Sequence, residues 1–333
     1  MNPGRMKKRE TVMRYLPRIA LAAAAVGLVA TVASAEGLKD PKDVKIAVVV
    51  HGSASDPYWS VVKRGVDDAA ALTGAQVQYI SPQVFDEVEH ARLIDAAVAT
   101  KPDGIIVSIA DPDALRGSVT GAIAAGIPTM NIDSNEVPGE EMGVTFYVGT
   151  VSEYDSGKRA GERLAKDGIL KVVCINHEVG NVSLDERCQG LNDGLAPSGG
   201  GTEVVAVTPD PADIQRRTEA YLSAHPEVQG VFAMGAGAAN PLIPLFKEKE
   251  LFGKIKLYTF DISPEVLDSI VAGEMEFGMD AQQYLMGFVP VINMVEYATH
   301  GFWPQSDVYT GPLFVDTPEA AEAILVLAKE GIR

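Results

Sequence analysis

Short apolar runs alternate with amphipathic helical stretches along almost the whole of this sequence. The pattern starts with Lys45-Ile-Ala-Val-Val-Val50 and a helical stretch from Pro57 to Leu72. Runs that are apolar at every position, rather than at alternate positions, indicate strands covered on both faces, as in parallel sheets. We therefore predict an α/β fold built from doubly wound parallel sheets. The other predicted strands are residues 77–80, 104–109, 128–132, 146–148, 171–175, 203–207, 230–234, 255–260 and 276–279.

The two halves of the sequence share a local pattern, which predicts two Rossmann-like domains. Lys101-Pro102-Asp-Gly104 and His225-Pro226-Glu-Val-Gln-Gly230 each follow a predicted helix and lead into a buried strand. The apolar helical stretch 284–300 is expected to return to the first domain, so that the chain crosses between the domains more than once and forms a multi-crossing hinge. The expected crossings are near 149–152, 279–282 and 310–312, and the expected lobes are residues 44–149 plus 282–309 and residues 150–280 plus 311–333.

Residues 1–35 are predicted to be a secretory signal peptide. Several basic residues precede an apolar run from Ile19 to Ala33, and Ala33-Ser34-Ala35 offers a small-residue cleavage site. The apolar run is shorter than the roughly 20 residues that span a bilayer. We therefore expect cleavage after Ala35 and export to the periplasm.

The acidic composition excludes some classes of partner. The formal net charge is −17, and removal of residues 1–35 takes away six basic residues and one acidic residue, which leaves −22. A surface of this sign repels nucleic acid and anionic membranes, so neither is expected as a partner. Calcium-loop spacing and phosphate-binding glycine motifs do not occur in the sequence, and we expect neither a metal nor a cofactor.

The chain contains two cysteines, Cys174 on a predicted strand and Cys188 on the helix that follows. An exported protein meets an oxidising compartment, which favours a disulfide between them. Two buried free thiols are the alternative, because the sequence does not show whether the two Cα atoms approach within about 7 Å.

Two of the predicted strands end on a carboxylate. Ile127-Pro-Thr-Met-Asn131-Ile-Asp133 in the first half and Tyr258-Thr-Phe-Asp261 in the second half have the same design, with a helix-starting pattern after each. The carboxyl ends of parallel strands line the ligand crevice, so acids from both lobes are predicted to face one cleft and to grip a polar, neutral ligand. Either acid can instead cap the following helix, although Ser263-Pro264 offers a better cap next to Asp261.

The sequence resembles the type I periplasmic substrate-binding proteins of ABC sugar importers, the family of ribose- and galactose-binding proteins. The residues that carry the resemblance are Asp56-Pro57-Tyr58-Trp59 with Gly65, Lys101-Pro-Asp-Gly-Ile-Ile-Val, Ala125-Gly-Ile-Pro128, Asp133, Gly157 to Gly161, Arg187 with Gly190, Phe260-Asp261, and Asp280 with Gln282. The resemblance implies two lobes that close on a monosaccharide, a membrane permease and a cytoplasmic ATPase as partners, and a monomeric receptor. It assigns ligand binding to Asp56, Tyr58, Trp59, Asp133, Arg187, Asp261 and Gln282.

Three further polar residues are candidates from their places along the chain. Asn176 follows a predicted strand and belongs at the same crevice edge, whereas Asp280 and Gln282 lie at a predicted domain crossing. His177 and Glu178, next to Asn176, are weaker candidates because a lone His is more often structural. Tyr58 and Trp59 could offer an aromatic platform to a sugar ring, or they could simply pack in the core.

The sequence also departs from the family pattern. Asp56 stands where many sugar-binding members carry Asn, Gly235-Ala236-Gly237 replaces a polar pair, and Ala281 replaces a frequent Gln. A pocket with fewer amides satisfies fewer ligand hydroxyls, which keeps a smaller polyol, a deoxy sugar or a different ring open as the ligand.

Three other functions compete with sugar uptake. A carbohydrate-active enzyme is one, since carboxylate-only chemistry needs no motif, but the common nucleophile and metal motifs do not occur in the sequence. A sugar-responsive transcription regulator would carry a basic helix-turn-helix segment where this chain has its predicted export signal. A receptor that presents its ligand to a chemoreceptor, for chemotaxis or quorum sensing with a furanosyl signal, would use the same pocket.

Overall fold

The computed structural model describes residues 38–53 and 56–333, so the predicted signal peptide lies outside the described residues. The described chain forms twelve strands: β1 (Lys45–Val49), β2 (Gln76–Ile80), β3 (Gly104–Ser108), β4 (Thr129–Asp133), β5 (Tyr147–Thr150), β6 (Lys171–Asn176), β7 (Gly201–Ala206), β8 (Gly230–Ala233), β9 (Lys256–Phe260), β10 (Phe277–Asp280), β11 (Val308–Gly311) and β12 (Leu313–Val315). The same residues form eleven α-helices: α1 (Pro57–Thr73), α2 (Glu87–Ala99), α3 (Pro112–Ala124), α4 (Glu136–Met142), α5 (Glu153–Lys166), α6 (Val182–Leu195), α7 (Pro211–Ala224), α8 (Ala236–Glu248), α9 (Pro264–Val271), α10 (Gln283–His300) and α11 (Pro318–Lys329).

The strands form two six-stranded sheets with equivalent topology. The first sheet has the order β11-β5-β4-β3-β1-β2, and the second has the order β12-β10-β9-β8-β6-β7. Every neighbouring pair is parallel except β10 and β12, which are antiparallel. The predicted α/β class with two doubly wound sheets is confirmed, and the two sheets with their helices define a first and a second lobe.

The two strands that the sequence did not predict, β11 and β12, lie at the sheet edges. Tyr309 and Leu313 are exposed there. An edge strand needs no apolar cover on both faces, so β11 carries no continuous apolar run, and the apolar run of β12 is only three residues long.

Glycines let two pairs of helices pack with their backbones in contact. In the first lobe α1 packs against α10, and a Cβ atom on Gly65 would lie 2.1 Å from the carbonyl oxygen of Tyr284. In the second lobe α5 packs against α6, and a Cβ atom on Gly190 would lie 2.0 Å from the carbonyl oxygen of Tyr154. Helix α10 therefore belongs to the first lobe, although it follows strand β10 of the second.

The chain passes between the lobes three times, after β5, after β10 and between β11 and β12. The second lobe also contains a disulfide that joins Cys174 on β6 to Cys188 on α6, with the two Cα atoms 6.0 Å apart. Among the described residues, no helix combines the length and the apolar character needed to cross a membrane.

Candidate ligand-binding site

A cavity lies between the two lobes, where the carboxyl ends of the central strands of both sheets meet. The cavity is narrow and has a volume of about 40 Å³. It is lined by His51, Asp56, Tyr58, Trp59, Asp133, His177, Glu178, Asn181, Ser183, Leu184, Arg187, Met234, Gly235, Ala236, Gly237 and Asp261. Both lobes contribute polar side chains, as a site for a small polar ligand requires.

Asp133 and Asp261 occupy equivalent places in the two lobes and line the same cavity. Asp133 ends β4 with φ +81°, and Asp261 directly follows β9 with φ +63°. Left-handed backbone in a residue other than glycine costs free energy and is concentrated at functional sites. Ser263 caps α9 through the N–H of Val266, so the Asp261 carboxylate is not used as a helix cap.

Arg187 lies on the wall of the cavity in the second lobe. Its Nε donates to Glu153 Oε2 at 2.5 Å, and its Nη1 donates to the carbonyl oxygen of Met234 at 3.0 Å and to Asp261 Oδ2 at 3.5 Å. Burial alone would lower the pKa of Arg187, but Glu153 and Asp261 hold it well above its ordinary value. The sequence analysis missed Glu153, the first residue of α5, whose signal was an acid directly after a domain crossing.

The carboxyl of Asp261 is only weakly paired with Arg187. Burial raises the pKa of Asp261 to about 8, although Arg187 opposes the change. The guanidinium makes its shorter ion pair with Glu153, so that Asp261 keeps hydrogen-bonding capacity for a ligand.

Tyr58 and Trp59 are both buried, and both line the cavity while packing in the core of the first lobe. The Tyr58 hydroxyl donates to Asp133 Oδ1. Trp59 meets His51 edge to face, with ring centroids 4.6 Å apart. The two roles that the sequence left open, ligand wall and core packing, therefore coincide in these residues.

Asp56 faces the second lobe across the cavity while it caps α1. Its Oδ1 accepts from the N–H of Tyr58 at 2.8 Å, and a Cβ atom on Gly237 would lie 2.8 Å from its Oδ2. Burial raises the pKa of Asp56, opposed by backbone hydrogen bonds at the helix start. The glycine at position 237, where the sequence departs from the family pattern, leaves room for this carboxylate.

His51, His177 and Glu178 line the cavity, although the sequence analysis ranked the last two low and did not select the first. Burial lowers the pKa of His51 to about 3, and burial with the nearby Arg187 lowers the pKa of His177 to about 4. Burial raises the pKa of Glu178 to about 8. Both imidazoles are therefore neutral at neutral pH, and His177 Nδ1 is buried with no hydrogen-bond partner in the described part of the chain.

Three predicted site residues lie outside the cavity wall. The Asn176 amide donates to Asp185 Oδ1 at 2.8 Å, and its oxygen accepts from the N–H of Glu178 at 3.0 Å, so this side chain shapes the loop after β6. Asp280 forms an ion pair with Arg333 at 2.8 Å.

Gln282 connects the two late crossings instead of lining the cavity. Its amide donates to the carbonyl oxygen of Thr310, and its oxygen accepts from Arg333 Nη1 at 2.9 Å. Its neighbour Gln283, the first residue of α10, reaches toward the cavity wall and donates to Asp261 Oδ1 at 3.3 Å. The left-handed backbone at Gln282, φ +55°, turns these adjacent side chains in different directions.

Hydrogen bonds hold the two lobes together at the cleft. Asn135 Nδ2 of the first lobe donates to Ser183 Oγ of the second at 3.0 Å, and the N–H of Val182 donates to the carbonyl oxygen of Ala110 at 3.1 Å. The cleft is therefore closed in this structure.

Two lobes with parallel sheets, several crossings and a polar cavity at the facing strand ends define a bilobal solute-binding protein. The family model described as periplasmic binding protein domain matches residues 46–301. The chain belongs to this family. The family consists of substrate-binding proteins, which decides against the carbohydrate-active enzyme.

Similar proteins include receptors for several sugars. The xylose/arabinose-binding protein XylF of Sulfolobus acidocaldarius is 26% identical over 286 residues, which cover 81% of this chain and 69% of that protein. The ribose import binding protein RbsB of Escherichia coli is 28% identical over 240 residues, which cover 68% of this chain and 76% of that protein.

Two solved structures of similar proteins contain a bound ligand. A carbohydrate transporter from Acidothermus cellulolyticus in complex with myo-inositol is 30% identical, with a TM-score of 0.81, and the match covers 87% of this chain and 100% of that one. A solute-binding protein of an ABC transporter from Burkholderia graminis, in complex with D-arabinose, is 25% identical, with a TM-score of 0.75 and coverage of 84% and 97%.

Proposed function

We propose that this protein is a periplasmic receptor that binds a monosaccharide or a related polyol between its lobes and delivers it to an ABC importer. The observation that carries the proposal is the position of Asp133 and Asp261. These acids come from separate lobes, end equivalent strands and line one cavity. The related proteins named above, which are receptors for sugars or hold a sugar or a cyclitol, support the ligand class.

The cavity offers the two kinds of contact that a sugar needs. Carboxylates accept from hydroxyl groups in charge-assisted hydrogen bonds of about 1.5–3 kcal/mol each, and Tyr58 and Trp59 give an aromatic wall to the C–H face of a ring. A micromolar complex needs about 8 kcal/mol after association costs of at least about 4 kcal/mol. Three or four such bonds supply roughly 5–12 kcal/mol and reach this sum only at the upper limit, so ring contacts and the exclusion of water on closure supply the rest.

Ligand capture works by hinge closure. The moving bodies in this proposal are residues 44–149 plus 282–309 and residues 150–280 plus 311–333, joined by the three crossings. A ligand that bonds to both lobes stabilises the closed form and shifts the population toward it. Gln282, which bonds to the neighbouring crossing at Thr310, ties two of the three hinge segments together.

A thermal-shift screen of the protein against monosaccharides and polyols tests this function. A ligand present at 100 times its dissociation constant stabilises the protein by about 2.7 kcal/mol. We expect at least one ligand to raise the melting temperature of the wild-type protein, and the Asp261→Asn variant to lose that shift. Asp95→Asn, at an exposed position on α2, is the matched control and should keep it. A normal shift in Asp261→Asn would contradict the site assignment.

Export and assembly form part of the same proposal. Cleavage after Ala35 would leave Glu36 as the first residue, which N-terminal sequencing of the periplasmic fraction detects. We propose a monomer, which light scattering of the purified protein tests. Presentation of the loaded receptor to a chemoreceptor is a further use of the same closed form.

A further inference from the structure

The charges that line the cavity are strongly unbalanced. Four carboxyl groups line it, those of Asp56, Asp133, Glu178 and Asp261, whereas Arg187 is the only Lys or Arg among the described lining residues. Arg187 already makes a 2.5 Å ion pair with Glu153, a fifth carboxyl group just behind the wall. A ligand with only hydroxyl groups adds no positive charge to this set, so burial keeps the pKa values of Asp261 and Glu178 raised to about 8.

The imbalance is largest at the end of the cavity formed by Asp56 and Glu178. These residues belong to different lobes, and both line this cavity as well as a second cavity beside it. Burial is the main cause that raises the pKa of Glu178 to about 8, and Asp56 and Asp133 add to it by repulsion. The side chain that donates to Glu178 Oε2 is the neutral amide of Asn181, at 2.8 Å.

The histidines at this end do not supply the missing positive charge. His51 Nε2 lies 3.9 Å from Glu178 Oε2, but its imidazole is neutral at neutral pH. His177 lies beside Gly237 and carries a buried Nδ1 without a hydrogen-bond partner among the described residues. This end of the cavity therefore contains hydrogen-bond acceptors and an imidazole nitrogen without a hydrogen-bond partner among the described residues. No cationic side chain of the described chain pairs with Asp56 or Glu178.

We propose that the ligand carries a protonated amine, as an amino sugar or an amino polyol does, and that the amine binds between Asp56 and Glu178. The inference rests on the proposed function and narrows its ligand class. An ammonium group donates three hydrogen bonds and carries a positive charge, so it lowers the raised pKa of Glu178. The Glu178 carboxyl then releases its proton, and the cation is held between two carboxylates. The hydroxyl groups of the same ligand reach Asp133, Asp261 and Arg187 at the other end.

Matched ligand pairs test the proposal by isothermal titration calorimetry at neutral pH. The probes are glucosamine with glucose, galactosamine with galactose, and mannosamine with mannose, with N-acetylglucosamine as a neutral amide. In at least one pair we expect the amine to bind about tenfold tighter or more than its hydroxyl counterpart, because a charged donor strengthens the bonds to carboxylates. The N-acetylated form should lose this advantage.

Two variants locate the amine within the cavity. Glu178→Gln keeps the shape of the side chain, and Asp56→Asn keeps a residue that caps helices well. Each should reduce the preference for the amine, taken as the ratio of the two affinities of a matched pair in the same variant, to about threefold or less. Glu322→Gln, at an exposed position on α11, is the control and should keep the full preference.

The outcomes separate this inference from the proposed function. Equal or tighter binding of the neutral member in every pair would refute the proposal of an amine ligand, but it would agree with the proposed function as a sugar receptor. An amine preference that both variants retain would also overturn it, because the charge would then be recognised elsewhere. Failure of every member of both series to bind would overturn the amino sugar, whereas the sugar receptor is overturned only if the thermal-shift screen also finds no ligand.

Discussion

Arg187 is the position where one substitution should show most clearly how this cavity is held together. The Arg187→Met variant keeps an unbranched side chain but removes the guanidinium, which leaves Glu153 buried at 3% side-chain exposure without its 2.5 Å ion pair. Removing one partner of a buried pair typically costs about 3–5 kcal/mol, because the remaining charge is left uncompensated. With a urea m-value of about 2 kcal/mol per molar, the unfolding midpoint should fall by roughly 2 M.

The partner variant and the double variant give the control. Glu153→Gln should cost less than Arg187→Met, because Asp261 Oδ2 lies 3.5 Å from the guanidinium and can take over as its counter-ion. The double variant Arg187→Met with Glu153→Gln should be more stable than Arg187→Met alone, because both charges are gone. Urea unfolding followed by circular dichroism measures all three. A loss below about 1 kcal/mol in Arg187→Met, or no recovery in the double variant, would refute this account.

Three more predictions concern stability. The protein without ligand should be most stable between about pH 5 and 6.5. Above this range the folded state retains the protons of Asp261 and Glu178, with pKa values of about 8, while the unfolded chain has released them, so stability falls by about 2–4 kcal/mol toward pH 8. Below about pH 4.5 the unfolded chain binds more protons on His51 and His177, whose folded pKa values are about 3 and 4, so stability falls again. Urea midpoints that rise steadily from pH 3 to 9 would contradict this. Gly190→Ala should lower the free energy of unfolding by about 2 kcal/mol or more, because it forces α5 and α6 apart. Gly117→Ala should raise it by up to about 1 kcal/mol, because a Cβ atom there meets nothing within 4 Å. Equal melting temperatures of the two variants would argue against the close helix contact. Replacing both Cys174 and Cys188 by Ala should lower the free energy of unfolding by about 3 kcal/mol, as expected for a loop of roughly 15 residues. An unchanged free energy of unfolding would show that the disulfide adds no stability.

The sequence predicted the fold well because buried parallel strands leave a strong signal. A strand such as β3, covered on both faces, is buried at every position and is apolar at nearly all of them, so it stands out against the amphipathic helices around it. The edge strand β11 carries no such constraint and was missed. The length and apolar character of α10 predicted that this helix returns to the first lobe. Gly65, which contacts the backbone of α10, makes room for the helix.

The sequence predicted the site residues whose position follows from a rule of the fold. It missed the residues whose position depends on contacts between distant parts of the chain. Asp133 and Asp261 end strands of parallel sheets, so the sequence locates them at the crevice. Glu153 follows a domain crossing and His51 follows β1, but whether either side chain faces the cavity depends on how helices and loops pack. Gln282 and Gln283 differ by one position, and only the backbone turn between them decides which one approaches Asp261.

The sequence by itself determined the two parallel sheets and the acids at their strand ends, because a strand that is buried on both faces leaves a local run of apolar residues. Only the tertiary structure decided how the charges are paired. Arg187 is 34 residues from Glu153 and 74 from Asp261 along the chain, yet its guanidinium donates a hydrogen bond to each of them. The strength of an ion pair depends on distance and burial in space, which the order of residues does not give. For that reason only the folded molecule shows that no Lys or Arg of the described residues pairs with Asp56 or Glu178.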